Sequence, residues 1–159
     1  MTDMLVKLYG LKDTRKNEVI ERDGVFIKRA MALDRRLITK YVQEHFNNIC
    51  PGWVGECELA LSQQPTTCYI AVHDKNIIGF CCWDGTAKGM LGPLGVSEKW
   101  RGRGIARELI ISSLLSMKEA GYAYAIIGWV SSEAFYSKLC GAIAIPDSHP
   151  GIYSRLSSI

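Results

Sequence analysis

The sequence has no apolar run that approaches the roughly 18 residues needed to span a membrane. Asp3 and Lys7 interrupt the apolar stretch at the N-terminus, so no secretory signal is visible there. The formal net charge is only +3 over 159 residues, and no basic stripe alternates with aromatic residues, which argues against a nucleic-acid-binding module. There is no internal repeat or low-complexity linker. Residues 1–159 are therefore expected to form a single cytoplasmic domain, with neither nucleic acid nor a membrane as partner.

The chain also lacks the cysteine spacing of a metal site. Its six cysteines include no C-x-x-C pair, and only three histidines are available to join them. We therefore expect no bound metal, and we interpret the cysteines as buried, reduced thiols of a cytoplasmic protein. Cys81 and Cys82 are adjacent in a strand-like run, so their side chains are expected on opposite faces of a sheet.

The spacing of apolar residues predicts the order of secondary-structure elements. Residues 1–24 are an N-terminal extension of uncertain structure. Strands are predicted over residues 25–30, 67–72, 77–83, 90–96, 122–130, 141–145 and 151–156. Helices are predicted over residues 35–46, 53–63 and 104–120, and from Ser131 or Ser132 to residue 139. This order favours a mixed sheet flanked by helices, an α+β fold with three layers (α/β/α).

The most informative stretch is residues 96–106, where a strand-like segment leads through a turn with two glycines into a helix. Gly102 and Gly104 allow the backbone to approach a ligand closely, and the new helix N-terminus presents unpaired N–H groups and a positive dipole end. This combination predicts a phosphate or pyrophosphate site. Arg101 and Arg103 add positive charge beside it.

Other interpretations of this turn are weaker. A dinucleotide site of the G-x-G-x-x-G kind would need glycine where Arg107 stands, and it normally lies in the first strand–helix unit of a domain. The nucleotide-binding pattern G-x-x-x-x-G-K is absent. A nucleotide-dependent oxidoreductase therefore stays a distant alternative, as does a glycine turn that binds nothing.

Two blocks of the sequence resemble the GNAT family of N-acetyltransferases. The spacing Arg-x-x-Gly-x-Ala at Arg101, Gly104 and Ala106, behind a hydrophobic strand, is similar to the family's acetyl-CoA motif. Residues 134–142 look like its closing motif, in which a tyrosine on a short helix precedes a leucine and a glycine. The resemblance extends from residue 25 to the C-terminus. It implies the GNAT fold, a mixed and mostly antiparallel sheet with splayed central strands, and acetyl-CoA as cosubstrate.

The resemblance assigns cosubstrate binding to the strand and the turn. Gly92, Pro93 and Gly95 interrupt the strand, and this composition agrees with the bulge that splays the corresponding family strand. The backbone expected to pair with the pantetheine arm is that of Leu94, Gly95 and Val96. The amides expected around the pyrophosphate belong to Gly102, Arg103, Gly104, Ile105, Ala106 and Arg107. The side chains of Arg101 and Arg103 either reach the phosphates or lie in solvent.

Tyr136 matches the family tyrosine near the acetyl sulfur, and the resemblance implies that it is the general acid for the departing CoA thiolate. With unperturbed pKa values near 10 for tyrosine and about 8.5 for a thiol, full proton transfer would be uphill by roughly 2 kcal/mol. A hydrogen bond that only stabilises the developing thiolate would avoid that cost. The family often has an asparagine seven residues before this tyrosine, where this chain has Trp129.

The sequence does not select a general base. Many family members carry a glutamate on the bulged strand, but residues 90–96 contain no carboxylate. The candidates elsewhere are Glu56, Glu58, His45 and Asp84, besides a water relayed through backbone carbonyls.

The acceptor pocket is expected beside the two helices that follow the first strand. The aromatic and acidic residues expected to line it are Trp53, Glu56, Trp83 and Asp84. Such groups suit a cationic amine through cation–π contact and ion pairing. Trp53 has the alternative role of a core anchor on an amphipathic helix.

The sequence as a whole predicts an N-acetyltransferase that moves an acetyl group from acetyl-CoA to a primary amine by direct attack, through a tetrahedral intermediate. The acceptor is a small molecule or a peptide. A non-catalytic acyl-CoA-binding module of the same fold is the main alternative, because the strand glutamate is missing. The terminal strands are where a homodimer would form, as in many relatives.

Overall fold

The computed structural model describes residues 1–157 as an eight-stranded open sheet with four α-helices. The strands are β1 (Thr2–Lys7), β2 (Ile20–Arg22), β3 (Val25–Arg29), β4 (Cys68–His73), β5 (Asn76–Trp83), β6 (Met90–Val96), β7 (Tyr124–Val130) and β8 (Ile143–Ala144). The helices are α1 (Arg35–Phe46), α2 (Trp53–Leu61), α3 (Ile105–Glu119) and α4 (Glu133–Cys140). The strand order is β2-β3-β4-β5-β6-β7-β1-β8, and all neighbours are antiparallel except β6 and β7, which are parallel.

Helices cover both faces of the sheet, which gives the three layers expected from the sequence. α3 and α4 pack on one face, around Leu114. α1 and α2 pack on the other face, around Phe80. Adjacent residues of β5 therefore enter different cores, with Cys81 on the α3 face and Cys82 on the α1 face, as their alternation predicts. The predicted fold, a mixed and mostly antiparallel sheet flanked by helices, is confirmed.

The longest helix, α3, ends where the sequence predicts. Leu114 and Met117 lie on its apolar face and have no exposed surface. Gly121 has φ +98°, its N–H donates to the Lys118 carbonyl, and the next N–H donates to the Met117 carbonyl. These two bonds form a Schellman motif, which places glycine at the left-handed position.

The N-terminal segment, expected as an extension of uncertain structure, contributes to the sheet. β1 lies between β7 and β8, and its Met4 and Val6 side chains are buried in the core on the α3 face. β2 forms an antiparallel pair with β3 at the opposite edge of the sheet. The partners of β1 are distant in sequence, so no local pattern signals this pairing.

The second strand expected near the C-terminus does not form. β8 pairs with β1 over only two residues, and Gly151–Arg155 is a 3-10 helix. Pro146 and Pro150 have no N–H to donate to a strand ladder, and Gly151 has φ +59°, so the chain does not continue along the sheet. The prediction of a strand over residues 151–156 is therefore wrong.

β6 carries the bulge that its glycines and proline predict. The β5–β6 register shifts because one extra residue lies in β6, at Gly92 or Pro93. β6 pairs with β7 only through Met90 and Leu91, after which the two parallel strands separate. The sheet therefore has an open cleft between β6 and β7, which we call the β6–β7 cleft. It opens toward the start of α3.

Candidate active site

The turn between β6 and α3 lies at the open end of the β6–β7 cleft. Gly102 and Gly104 have φ +73° and +79°, in the left-handed region that side chains disfavour. The N–H groups of residues 102–107 donate to no acceptor within residues 1–157, and the first bond of α3 runs from the Glu108 N–H to the Gly104 carbonyl at 3.2 Å. Successive fixed donors at the positive end of a helix dipole can bind a phosphate. The structure thus brings the turn residues of the predicted cosubstrate site together.

The arginines of this turn form no ion pair with a carboxylate in the described part of the chain. Arg101 donates from Nε to the Val96 carbonyl at 3.2 Å, which holds its side chain along the end of β6. The Arg103 guanidinium lies 4.8 Å from the centre of the Trp100 ring. Arg103 and Arg22 line a groove of about 440 Å³ beside the turn. Positive charge is therefore available to an anion here.

Leu94, Gly95 and Val96 lie on β6 beyond its last pair with β7. In the described sheet this edge of β6 has no strand partner, so an extended ligand can pair with it as an added strand. Gly95 is buried against α1 and β5, where an added methyl group would lie 2.7 Å from a ring carbon of Phe46 and of Phe80. These contacts fix the position of β6 along the cleft.

Tyr136 projects from α4 onto the α3 face of the sheet. Its ring is half-buried, and burial raises the pKa of its hydroxyl to about 12, with smaller contributions from the thiols of Cys81 and Cys140. The hydroxyl makes no hydrogen bond to another residue of the described chain. Tyr136 is therefore a neutral donor at physiological pH that a ligand can use.

Trp129, at the position where family members often have asparagine, contacts the C-terminal segment. A bulge in β7 gives it φ +47°, and the Asp3 carboxylate of β1 accepts a hydrogen bond from its backbone N–H at 2.9 Å. The indole Nε1 donates to the Pro150 carbonyl at 3.2 Å, and its ring lies 4.3 Å from that of Tyr153. Trp129 thus joins β7 to the C-terminal 3-10 helix.

Glu56 lies in the first turn of α2, on the opposite face of the sheet from Tyr136. The Thr86 hydroxyl, in the loop between β5 and β6, donates to Glu56 Oε1. Burial raises the pKa of Glu56, and the hydrogen bond from Thr86 partly offsets this. Burial also raises the pKa of the nearby Tyr153 hydroxyl, to which the Glu56 carboxylate contributes. The Glu56 carboxylate and the Thr86 and Tyr153 hydroxyls, from three distant segments, therefore lie close together.

Trp53, the neighbour of Glu56 on α2, is a core residue. Its ring lies 5.5 Å from Phe46 and 6.0 Å from Phe80, measured between centroids. The alternative role as a core anchor therefore describes this side chain, although the ring keeps some exposed surface.

Trp83 and Asp84, which the sequence predicts to line the acceptor pocket with Glu56, lie beside α3 in this structure. Side chains alternate along β5, and Trp83 lies with Cys81 on the α3 face. The Asp84 carboxylate accepts hydrogen bonds from the Tyr122 hydroxyl at 2.6 Å and from a backbone N–H. Both residues line a separate groove of about 550 Å³ near the C-terminus of α3.

The remaining sequence candidates are isolated from the cleft or used elsewhere. Glu58 is exposed on α2, and His45 Nδ1 lies 3.0 Å from the Tyr41 carbonyl. The six cysteines are free, and four of them are buried. Within residues 1–157, no group of three His, Cys, Asp or Glu side chains is arranged to hold a metal ion. No helix of this part of the chain is both long and apolar enough to cross a membrane.

Sequence reasoning missed Asp3, Thr86 and Tyr153. Thr86 stands in a loop and Tyr153 in a segment predicted as a strand, so neither gave a local signal. Asp3 did give one, because a carboxylate inside an apolar strand requires a hydrogen-bond partner when it is buried.

Comparisons with known proteins agree with this geometry. Residues 64–139 match the family model described as an acetyltransferase (GNAT) domain. No curated protein matches the sequence. Just under half of the chain therefore matches the GNAT family, and the resemblance inferred from the sequence is confirmed.

Solved structures with the same fold include three that are informative. The GCN5-related glucosamine N-acetyltransferase region of a fungal multi-domain GH3 β-N-acetylglucosaminidase has 14% identity and a TM-score of 0.66, over 91% of this chain and 19% of that one. A GCN5-related N-acetyltransferase from Sphaerobacter thermophilus has 20% identity and a TM-score of 0.64, over 91% and 48%. A GNAT family acetyltransferase from Brucella melitensis, solved with acetyl-CoA, has 18% identity and a TM-score of 0.56, over 78% and 88%.

These identities show a shared fold. The first two matches cover 19% and 48% of those chains, so this chain spans at most about half of their length. The GNAT fold predicted from the sequence is confirmed.

Proposed function

We propose that the protein transfers an acetyl group from acetyl-CoA to a primary amine, by direct attack of the amine on the thioester. The observation that carries the proposal is the run of N–H groups at residues 102–107 that have no acceptor in the described chain, at the end of a strand, β6, that has separated from β7. A pyrophosphate needs such fixed donors, and an extended pantetheine arm needs an unpaired strand edge. The two features follow each other along the chain, from β6 through the turn into α3.

The residues of the chain fit this cosubstrate in chemistry as well as in shape. The turn supplies backbone donors, and Arg101 and Arg103 supply positive charge that no ion pair uses in the described chain, although Asp23 and Glu108 line the same groove as Arg103. N–H groups at the β6 bulge would polarise the thioester carbonyl as negative charge develops on its oxygen in the tetrahedral intermediate. The Tyr136 hydroxyl would donate a hydrogen bond to the departing thiolate.

The first test is thermal denaturation of the protein with acetyl-CoA, CoA and NAD(P) in parallel. A ligand at about 100 times its dissociation constant stabilises the folded state by about 2.7 kcal/mol, which raises the midpoint measurably. We expect a shift with the two CoA species alone. A shift with NAD(P) instead would support the oxidoreductase alternative, and no shift with CoA species would overturn the proposal.

Turnover distinguishes the enzyme from an acyl-CoA-binding module of the same fold. We expect CoA thiol release that depends on an added amine, measured over a panel of small amines and peptides with free amino groups. Binding of acetyl-CoA without amine-dependent thiol release would favour the binding module. The proposal includes a cytoplasmic location, where fractionation would find the protein, and a homodimer, which sedimentation would detect.

A further inference from the structure

Acetyl transfer to an amine requires a group that removes a proton. An aliphatic amine, with a pKa near about 10.4, is an ammonium ion at neutral pH and has no lone pair to attack a carbonyl. β6 offers no carboxylate, and the Tyr136 hydroxyl is a donor rather than an acceptor. A side chain that accepts this proton would therefore come from another element that reaches the β6–β7 cleft.

The C-terminal 3-10 helix lies where the β6–β7 cleft begins, on the face of the sheet that α1 and α2 cover. Gly128 follows directly after the last residue of β7 that pairs with β6. The Tyr153 hydroxyl lies against the backbone of Gly128, and a methyl group added there would also come within 2.7 Å of Met90 Cε. Tyr153 therefore lies at the point where the two strands separate.

Glu56 lies on α2, close to the place where β6 and β7 separate. It is near Tyr153, and its carboxylate is held by the Thr86 hydroxyl in the loop that leads into β6. α2 itself packs against β6 and β5. An acidic group on α2 thus reaches the narrow end of the cleft from the face opposite Tyr136, which places the proton acceptor and the thiolate donor on two sides of the sheet.

We propose that Glu56 is the general base of the acetyl transfer, and that Thr86 is the residue that positions its carboxylate. This inference rests on the proposed function. One proton moves from the ammonium nitrogen to a Glu56 oxygen, and the freed lone pair forms the C–N bond with the acetyl carbonyl carbon. The C–S bond then breaks, and the electron pair leaves with the CoA sulfur as a thiolate. The second proton of the attacking nitrogen passes to this thiolate, which gives the neutral amide and the CoA thiol, and Glu56 returns its proton to solvent.

The surroundings of Glu56 suit this role. Burial raises its pKa, which makes the carboxylate a better proton acceptor than an exposed one. The titratable groups near it are Cys50, before α2, and Tyr153, beside which the Asp3 carboxylate also lies. No Lys, Arg or His forms an ion pair with Glu56 in the described chain, so its charge is left for a substrate ammonium.

The test compares Glu56→Gln with Glu58→Gln, an exposed glutamate on the same helix. We expect Glu56→Gln to lower kcat about 100-fold or more and to remove the Glu56 contribution to the acidic limb of kcat/KM. Glu58→Gln should behave as wild type. The amine itself titrates in every variant, so the difference between variants isolates Glu56.

Folding controls follow from the same geometry. Gln keeps an oxygen that accepts the Thr86 hydrogen bond. A carboxyl whose pKa is raised on folding contributes stability at low pH, and this is lost as the pH rises through the folded-state pKa. At neutral pH the Glu56→Gln variant should therefore melt no lower than wild type. Its affinity for acetyl-CoA, measured by calorimetry, should be unchanged.

Thr86→Val gives a second readout. The Thr86 hydrogen bond lowers the pKa of Glu56, so its removal should move the acidic limb to higher pH. Because the carboxylate also loses the group that positions it, kcat should fall, but less than in Glu56→Gln. A purely structural role of Thr86 would not shift this limb.

If wild type transfers acetyl groups and Glu56→Gln keeps the wild-type kcat and pH profile, this inference is overturned and the proposed function stands. If wild type binds acetyl-CoA and acetylates no amine, both are overturned.

Discussion

The Tyr136→Phe variant tests how the CoA thiolate is stabilised. The substitution removes one hydroxyl that makes no hydrogen bond within residues 1–157 and leaves the ring in place. We therefore expect little change in the free energy of unfolding. The consequence should be confined to a bound ligand.

The pKa of Tyr136 decides between two roles. At about 12 it lies roughly 3.5 units above an ordinary thiol, so complete proton transfer to the thiolate would cost about 5 kcal/mol. Donation of a hydrogen bond without transfer has no such cost. A hydrogen bond to a charged group contributes about 1.5–3 kcal/mol.

We therefore expect kcat to fall by about 10- to 100-fold in Tyr136→Phe, with the affinity for acetyl-CoA nearly unchanged. Because Tyr136 stays protonated, its ionisation should produce no alkaline loss of kcat in wild type below about pH 10. The assay is steady-state thiol release across pH, with binding measured separately by calorimetry.

Tyr122→Phe is the matched control. It removes a hydroxyl that donates to Asp84 near the C-terminus of α3, away from the cleft, and should leave kcat unchanged. Wild-type kcat in Tyr136→Phe would refute the role of Tyr136. An equal loss in both variants would point to a general structural effect.

Three further substitutions test the backbone of the site. Gly104→Ala forces a side chain to φ +79°, at a cost of about 1–2 kcal/mol, and should weaken acetyl-CoA binding about tenfold. The control Gly121→Ala, at the other end of α3, should lower stability alone, and equal acetyl-CoA affinities of the two variants would argue against binding at the turn. Gly95→Ala places a methyl group 2.7 Å from two ring carbons, and urea denaturation should show a loss of about 1–3 kcal/mol; wild-type stability would show that the packing around Gly95 is not tight. Asp3→Ala removes the acceptor of the Trp129 N–H and should cost about 1.5–3 kcal/mol in the same assay, with wild-type stability contradicting its structural role.

The cosubstrate turn was predictable because its determinants are local. Gly102 and Gly104 adopt the left-handed conformation that glycine permits, and α3 begins directly after them. The bulge of β6 follows from Gly92 and Pro93 in the same way, since proline cannot donate and glycine weakens a ladder. Each of these features depends on residues within one turn or strand.

The acceptor side was not predictable from local pattern. The alternation of side chains along β5 places Trp83 on the same face of the sheet as Cys81 and opposite to Cys82. The alternation does not predict which helices cover that face. Glu56 and Asp84 both appear in the sequence as acidic residues near tryptophans. The structure separates them, because Asp84 is used by Tyr122 while Glu56 is held by a loop hydroxyl.

The fold class, the bulged strand and the turn that offers donors to a phosphate follow from the amino-acid sequence alone, because short-range sterics and hydrogen bonding dictate each of them. The residues that lie across the β6–β7 cleft from that turn are set by long-range packing. Insertion of β1 beside β7, and the return of the C-terminal 3-10 helix to Gly128, bring Tyr153 near Glu56. Contacts between segments so far apart in the chain depend on the whole packing of the sheet and leave no mark on any single stretch of sequence.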